Sequence, residues 1–401
     1  ARQLKARTVA IPHYDQHEVE AMAQAVTEGA LLATYDYRGQ KTDEAPLDEV
    51  ETVELVVPEA ENLPLVERGV TAGEAIFAGV TLTRDLVNLP PNICTPEYMA
   101  QTARDVAEAV GLRVEILEKR QMESLGMGAL LGVAQGSETP PRFIILEHNA
   151  DRAGELDTIV LAGKGVTFDT GGYNLKTGEG IGHMKTDMAG AAAVIGAMRA
   201  IGALDVPLHV VGLAPAADNM ISGRAYRPQE VITASNGTTI EVINTDAEGR
   251  LLLADALSFA ARFEPDAVVD IATLTGACVV ALGKVAAGLF STDDGLRDRL
   301  LAAADATDER LWALPLYPEY EKTLESETAD VKNTGGRGGG VGSSATFLKH
   351  FVSYPAWAHI DMAGMAFKDS PKKAPYVPSG KGATGFGVRL LTAFVRNWAG
   401  E

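Results

Sequence analysis

Cysteine is scarce in this chain of 401 residues, which contains only Cys94 and Cys278. One lies in a proline-flanked loop and the other in an apolar region. Two such cysteines provide neither a disulfide framework nor a cysteine-based zinc site. This usage is typical of a protein in a reducing compartment, and we therefore predict a cytoplasmic location.

Basic residues are also in deficit, with 35 Lys and Arg against 54 Asp and Glu and a formal net charge of −19 at pH 7. Binding to phosphate backbones or anionic membranes relies on clustered Lys and Arg. We therefore predict that neither nucleic acid nor a membrane is a partner.

Long apolar runs are missing as well. No uninterrupted run reaches the length of a membrane span, and the basic start of the chain is followed only by a short apolar stretch that Pro12 interrupts. We therefore predict no signal peptide. The chain begins without Met, and the sequence leaves open whether an N-terminal segment has been removed.

The length favours more than one domain. Residues 1–65 predict a small α/β N-terminal unit, and a helical stretch then continues until Pro90 and Pro91, which cannot extend it. We predict a linker helix over 66–91 and a larger domain over 92–401. The elements predicted in the first unit are a strand from Thr8 to Ile11, a helix from Gln16 to about Leu32 and a strand from Thr52 to Val57.

Helices and strands alternate through the larger domain. The predicted helices are 96–110, 120–131, 188–202 and 249–263, and the predicted strands are 112–118, 142–148, 157–162, 207–213, 238–243 and 266–272. Strands such as Ala267 to Ala272 are almost continuously apolar, which suits a sheet covered on both faces. We predict a three-layer α/β/α domain with a mostly parallel central sheet, in which ligands bind at the carboxyl ends of the strands.

Polar clusters follow several of these predicted strands. Asn244-Thr245-Asp246-Ala247-Glu248-Gly249-Arg250 follows strand 238–243, while Gly163-Lys164-Gly165 and Asp169-Thr170-Gly171-Gly172 follow strand 157–162, and Asp187 opens a helix. Each cluster alone has an ordinary explanation: a solvated turn for Asp-Ala-Glu, a surface position for Lys164, and helix-start packing or a salt bridge for Arg250. Together, the acidic clusters at strand ends predict a metal-binding site.

These motifs occur together with Asn88-x-Pro-Pro-Asn, Lys185-Thr186-Asp187-Met188 and Thr273-Leu274-Thr275-Gly276-Ala277. In this order they resemble the leucyl aminopeptidase family, or cytosol aminopeptidases, which are two-metal exopeptidases. The resemblance extends from about Arg84 to Val388. It implies that 92–401 is a catalytic metallopeptidase domain and that the N-terminal unit is shorter than is typical of the family.

The resemblance also implies the metal ligands: Asp169, Asp246 and Glu248 hold one metal ion, and Lys164, Asp169, Asp187 and Glu248 hold the other. Two-metal hydrolases use bridging carboxylates to hold ions roughly 3.5 to 4 Å apart and to activate a water between them. Lys164 can bind a metal only as the neutral amine. The ligand types fit zinc, manganese, cobalt or magnesium, and the family's preference favours zinc or manganese.

Two cations, Lys176 and Arg250, are left for catalysis. The resemblance implies that Lys176 polarises the scissile carbonyl as an electrophile and that Arg250 holds a bicarbonate ion that acts as general base. Both roles agree with chemistry, because a fixed cation stabilises a developing oxyanion and a planar guanidinium suits bicarbonate.

The remaining implications concern substrate and assembly. The family's substrate contacts align with Met184, Asn244, Thr273, Leu274, Gly276 and Ala363, although each could instead be a packing residue. The resemblance implies hydrolysis of the N-terminal residue, preferably leucine or another apolar residue, from peptides with a free N-terminus. It further implies a homohexamer. A two-metal phosphoesterase and a non-catalytic binding protein stay open as alternatives.

Overall fold

The structure is a computed structural model that describes residues 8–12, 18–42, 52–57, 59–368 and 382–400. Its strands are β1 (Thr8–Pro12), β2 (Thr52–Val56), β3 (Arg113–Leu117), β4 (Arg142–His148), β5 (Thr158–Gly163), β6 (Gly165–Asp169), β7 (His209–Asn219), β8 (Val231–Thr233), β9 (Thr239–Glu241), β10 (Ala267–Ala272), β11 (Ala287–Ser291), β12 (Leu311–Ala313), β13 (Val331–Lys332), β14 (Trp357–Asp361), β15 (Phe367–Lys368) and β16 (Gly382–Ala383). Its α-helices are α1 (Val19–Thr34), α2 (Leu63–Asn88), α3 (Pro96–Val110), α4 (Lys119–Ser124), α5 (Gly128–Ala134), α6 (Ala189–Leu204), α7 (Gly249–Ala260), α8 (Gly276–Leu282), α9 (Asp294–Thr307), α10 (Glu319–Thr323), α11 (Gly340–Lys349) and α12 (Val388–Ala399).

The N-terminal unit consists of the parallel pair β1 and β2 together with α1, which confirms the predicted small α/β unit. The predicted helix start at Gln16 lies outside the described residues. Helix α2 packs on α1 along one side and on α6 along another. A side chain at Gly69 would collide with the α1 backbone, and one at Gly79 would collide with the α6 backbone at Gly196. The boundaries at 65 and 91 stay predictions.

The largest sheet in the described part of the chain has nine strands in the order β12-β11-β14-β10-β5-β7-β4-β3, with β6 also paired to β7. Strands β14, β10, β5, β7 and β6 run parallel. The β4 and β11 strands pair with their central neighbours in the antiparallel sense. A mostly parallel central sheet is therefore confirmed, with mixed edges.

Alternate residues of the central strands face two separate cores. Ile159 and Leu161 of β5 pack in a core with α3, α6 and α12, whereas Val160 and Ala162 pack in a core with α5, α7 and α11. This alternation is the pleat of a β-strand buried on both faces. It explains the continuous apolar strands in the sequence and confirms the three-layer arrangement.

One helical stretch, Gly180–Leu204, has the length and composition of a membrane span. The stretch contains Lys185, Asp187 and Arg199, so it is not an uninterrupted apolar run. An 18-residue window of this stretch is 78% buried inside the fold. Its α6 portion packs against the sheet and against α2, α3 and α12, so the apolar character reflects a core helix.

Three predicted elements differ from the structure. The single helix predicted over 120–131 is wrong: it is two helices, α4 and α5, because Gly126 takes a left-handed backbone conformation with φ of 69°. The predicted strand 238–243 is only β9, which lies in a separate sheet of order β13-β9-β8 rather than in the central sheet. Strand β7 continues to Asn219, six residues beyond the predicted end at residue 213.

A buried carboxylate, Asp255 of α7, joins three elements. Its Oδ2 accepts from the Leu130 backbone N–H at 2.8 Å and its Oδ1 accepts from the Ser235 N–H at 2.7 Å. Burial raises the pKa of Asp255 to about 7.

We expect Asp255→Ala to lower the free energy of unfolding by about 2–4 kcal/mol, because two backbone donors lose their acceptor. Denaturant unfolding would measure this, and an unchanged midpoint would contradict it. Asp305→Ala, at an exposed position of α9, is the matched control.

Candidate metal centre and active site

The site forms where β5 and β6 meet. The two segments continue one ladder along β7, since Thr158 pairs with His209 and Val166 pairs with Ala217. Lys164 lies at the break between them, and its backbone N–H donates to Ile271 of β10 at 3.1 Å. A Cβ on Gly249, the first residue of α7, would collide with the Lys164 side chain. Glycine at 249 therefore allows the lysine to pass directly beneath the helix.

Lys164 is enclosed by oxygen atoms. Its Nζ lies 2.8 Å from Asp187 Oδ1, 3.0 Å from Glu248 Oε1 and 3.0 Å from the Thr273 carbonyl oxygen. Only 4% of its side chain is exposed. Burial by itself lowers the pKa of Lys164, but the carboxylates of Asp187 and Glu248 outweigh it, so the net direction is upward. The Lys164 ammonium thus forms ion pairs with both Asp187 and Glu248.

Lys176 contacts the other carboxylates of the site. Its Nζ lies 2.7 Å from Asp169 Oδ2 and 2.6 Å from Asp246 Oδ1. The intervening loop turns back sharply, with the Lys176 N–H donating to Thr170 O at 2.9 Å and Gly171 at a φ of 85°. At 21% exposure its side chain is much more open than that of Lys164. Burial by itself lowers the pKa of Lys176, but the charges of Asp169 and Glu248 and the hydrogen bonds to Asp169 and Asp246 together outweigh it, so the net direction is upward.

The acidic groups form one cluster. Asp169, Asp246 and Glu248 each offer a ligand oxygen, and these oxygens lie within 4.8 Å of one another. Burial raises the pKa of Asp169, and the nearby Glu248 charge raises it further. Burial also raises the pKa of Asp187 well above its ordinary value. Such a concentration of buried negative charge favours cation binding.

The carboxylate oxygens test whether metal ions fit. Asp187 Oδ2 and Glu248 Oε2 are buried, and neither has a hydrogen-bond partner among the described residues. Buried anionic oxygens without partners are costly. Hard oxygen ligands with one nitrogen ligand suit divalent ions. The donor set around Lys164 and Asp169 therefore fits a metal centre.

Thr245 anchors the loop that carries Asp246. Its hydroxyl donates to Gly171 O at 2.6 Å, and its carbonyl oxygen accepts from Asn219 Nδ2 at 3.0 Å and from the Tyr226 hydroxyl at 2.8 Å. Asn219 Nδ2 also donates to Asp169 Oδ1 at 2.8 Å. Sequence analysis missed Asn219 because the predicted strand ended before it. Its place at the end of a parallel strand was the available signal.

Arg250 is buried in the first turn of α7. Its Nη1 donates to the Asn333 carbonyl oxygen at 2.8 Å. Its buried Nε has no hydrogen-bond partner in the part of the chain that the structure describes. Burial lowers the pKa of Arg250 to about 10. The guanidinium thus retains a donor that can bind an anion.

Two segments predicted to contact substrate are joined by Asp361, at the end of β14. Asp361 Oδ1 accepts from the backbone N–H groups of Leu274 and Ala363, each at 3.2 Å, and Oδ2 accepts from the Thr275 hydroxyl at 2.7 Å. Asp361 is fully buried. It was missed because its sequence neighbourhood resembles an ordinary buried strand.

The other predicted substrate residues lie around the same cluster. The Thr273 hydroxyl donates to Asp187 Oδ1 at 2.8 Å, and Asn244 Oδ1 accepts from the Asp246 N–H at 2.9 Å. Gly276 begins α8. Met184 is half-buried in a 3₁₀ helix, Glu179–Thr186, that ends just before Asp187. The predicted residues are therefore brought to one region, although their contacts with substrate stay predictions.

Comparisons with known proteins agree with this geometry. A profile of the cytosol aminopeptidase family, catalytic domain, matches residues 81–392. A probable cytosol aminopeptidase of Roseiflexus castenholzii is 48% identical over 402 residues, covering 99% of this chain and 81% of that protein. One of Syntrophotalea carbinolica is 49% identical over 372 residues, covering 92% of this chain and 73% of that protein.

Solved structures show the same fold. The bottromycin maturation enzyme BotP in complex with Mn superposes with a TM-score of 0.88 at 38% identity, covering 98% of this chain and 84% of that one. A second structure of BotP gives a TM-score of 0.89 at 38% identity, covering 99% and 84%. Sequence, fold and acidic site agree, and this chain belongs to the cytosol aminopeptidase family and is a metallo-aminopeptidase.

Proposed function

We propose that this enzyme removes leucine, or another apolar N-terminal residue, from peptides with a free amino group, and that it does so in the cytoplasm. The observation that carries the proposal is the convergence of four carboxylates and two lysines at the ends of β5 and β6. The relatives are named as probable cytosol aminopeptidases, which supports both the activity and the location.

We assign one divalent ion to Asp169, Asp246 and Glu248, and a second to Lys164, Asp169, Asp187 and Glu248, with zinc or manganese as the metal. The clustered oxygens and the unpartnered carboxylate atoms support these assignments. BotP, a structural neighbour, is described in complex with Mn. Two such ions, when bound, supply Lewis acidity and lower the pKa of water between them.

The two lysines divide into different roles by exposure. Lys164 is 4% exposed and surrounded by ligand oxygens, so we assign it to metal binding as the neutral amine. Lys176 is 21% exposed and contacts the other two carboxylates of the cluster, Asp169 and Asp246. A fixed ammonium at that position stabilises negative charge that develops on the scissile carbonyl oxygen. Lys176 is therefore our candidate electrophile.

We assign Arg250 to a bicarbonate ion that accepts and returns protons as general base. The buried Nε of Arg250, which has no partner within the described ranges, supports this assignment. The carbonyl oxygen of Asn333 accepts a hydrogen bond from one end of the guanidinium. Because the guanidinium is planar, this contact also fixes the direction of its remaining N–H donors.

The substrate assignments fall on the loops after β9, β10 and β14 and on the 3₁₀ helix before Asp187. We assign Asn244, Leu274 and Gly276 to the peptide main chain, because these positions lie in segments held rigid by hydrogen bonds. The first side chain would occupy a pocket lined by Met184, Thr273 and Ala363.

We expect metal removal to abolish hydrolysis of leucine p-nitroanilide, and manganese or zinc to restore it, since the clustered carboxylates need divalent ions to activate water. Activity would be assayed after exhaustive chelation and after back-titration. Hydrolysis of p-nitrophenyl phosphate under the same conditions is the control and would instead indicate a phosphoesterase. Full peptidase activity in verified metal-free protein would overturn the two-metal proposal.

We expect Lys176→Ala to retain both metals and to lower kcat by on the order of 10², the usual cost of removing one group that stabilises an oxyanion. In contrast, Glu248→Ala should lose metal as well as rate, because Glu248 is assigned to both ions. Metal content by elemental analysis, beside kcat and KM, separates the two variants. Normal metal content in Glu248→Ala would argue against a bridging role.

We also propose that the enzyme is a homohexamer. Exposed apolar side chains in the chain segments around β11 and β12 support an interface between copies. They are Val280, Val285, Trp312 and Tyr317, and we call these four side chains the apolar patch. Trp312 lies on edge strand β12 and is 64% exposed. Exposed apolar clusters of this kind mark association sites.

We expect light scattering to give the mass of six chains, and Trp312→Glu to reduce it by placing charge in the patch. Moderate salt should not dissociate the assembly, because apolar contacts are not screened. Tyr98→Glu, at an exposed aromatic position on α3, is the control. A fully active monomer at micromolar concentration would contradict the need for a hexamer.

A further inference from the structure

Asn333 lies between β13 and the glycine-rich segment 335–340, and it is completely buried. Its backbone N–H donates to the Glu241 carbonyl oxygen of β9 at 3.0 Å. It therefore continues the pairing of β13 with β9 and points its side chain toward the loop that follows β9. That loop carries Asp246 and Glu248.

The whole amide of Asn333 is used by this loop. Its Oδ1 accepts from the N–H groups of Ile243 at 2.8 Å and Asn244 at 3.2 Å. Its Nδ2 donates to the carbonyl oxygens of Asn244 at 2.7 Å and Ala247 at 3.4 Å. A reversed amide would place oxygen against oxygen and donor against donor, so the partners fix its orientation.

The main chain of Asn333 contacts the catalytic arginine as well. Its carbonyl oxygen accepts from Arg250 Nη1 at 2.8 Å. On the opposite side of the loop, Thr245 is held by Gly171 and Asn219. The segment from Ile243 to Arg250 is therefore held by two sets of hydrogen bonds, one through Thr245 and one from Asn333.

We propose that Asn333 is a positioning residue for peptide hydrolysis, which holds Arg250 and the carboxylates of the 243–250 loop in their working geometry. The inference rests on the proposed function of that loop. Asn333 itself contacts neither metal nor substrate in this role. Replacing a residue that orients metal ligands typically lowers metal affinity or activity roughly 10- to 100-fold.

The competing explanation is that Asn333 merely fastens β13 to β9, and the chain offers a matched control for it. Asp330, three residues earlier, makes a similar side-chain attachment: its Oδ2 accepts from the Thr239 N–H at 2.8 Å and from the Thr239 hydroxyl at 2.7 Å. Asp330 thus fastens the same strands but does not reach the metal loop.

The experiment compares Asn333→Ala, Asn333→Asp and Asp330→Ala with the unmodified enzyme. Mn²⁺ affinity is measured by calorimetry on chelated protein, and kcat and KM on leucine p-nitroanilide at saturating Mn²⁺. We expect Asn333→Ala to weaken Mn²⁺ binding roughly 10- to 100-fold and to lower kcat more than it raises KM. Asp330→Ala should keep the Mn²⁺ affinity and kcat of the unmodified enzyme.

The proposal is overturned if Asn333→Ala keeps both Mn²⁺ affinity and kcat, or if Asp330→Ala loses as much of each. Should Asn333→Ala fail to fold, Asn333→Asp decides by the same readouts. It keeps the acceptor for Ile243 and Asn244 but replaces the donor with an oxygen that faces the carbonyl oxygens of Asn244 and Ala247, so weaker Mn²⁺ binding and lower kcat are expected of it as well. Calorimetry needs no peptidase activity. An unmodified enzyme that binds Mn²⁺ but hydrolyses no peptide would therefore defeat the proposed function separately.

Discussion

Repulsion among buried carboxylates is the constraint on which the rest of this structure depends. At an effective dielectric constant of 20, two like charges 4 Å apart repel by about 4 kcal/mol. Oxygen atoms of Asp169, Asp246 and Glu248 lie within 4.8 Å of one another, a separation at which water screens their repulsion poorly. Cations must therefore be built in, and two lysines supply part of that charge: Lys164 contacts Glu248 and Lys176 contacts Asp246. The unpartnered oxygens of Asp187 and Glu248 show where this compensation is incomplete.

The fold satisfies this constraint by fixing each charged side chain through backbone packing. Gly249 lets α7 approach Lys164, and Gly190 lets α6 approach the end of β10 at Ile271. Amide and hydroxyl groups such as those of Thr245 then hold the loops between these elements. Around Lys164 little of the repulsion can be relieved by side-chain movement, because Lys164, Asp187 and Glu248 are almost fully buried in a close-packed interior. The packed helices and strands therefore hold the charged side chains in place despite their mutual repulsion.

The sequence predicted the layers and the acidic cluster well, because apolar strands and the polar residues that follow them are local patterns. It failed where distant contacts decide the structure. Pro215 favours a strand end, yet it lies within β7, which continues to Asn219. Strand β9 reads as a member of the central sheet but pairs with β8 and β13. Asp361 and Asn219 carried no motif of their own, since their importance lies in partners that are remote in sequence.

The shared ladder of β5 and β6 has a consequence for how this protein can change length in evolution. Both segments follow β7 in one register through Val166, and a single irregularity precedes Asp169. An inserted or deleted residue between Thr158 and Lys164 would exchange the two faces of the strand, turning the lysine away from α7. Surface loops tolerate added residues, whereas the number of residues in this segment is fixed by the face of the sheet on which Lys164 must lie.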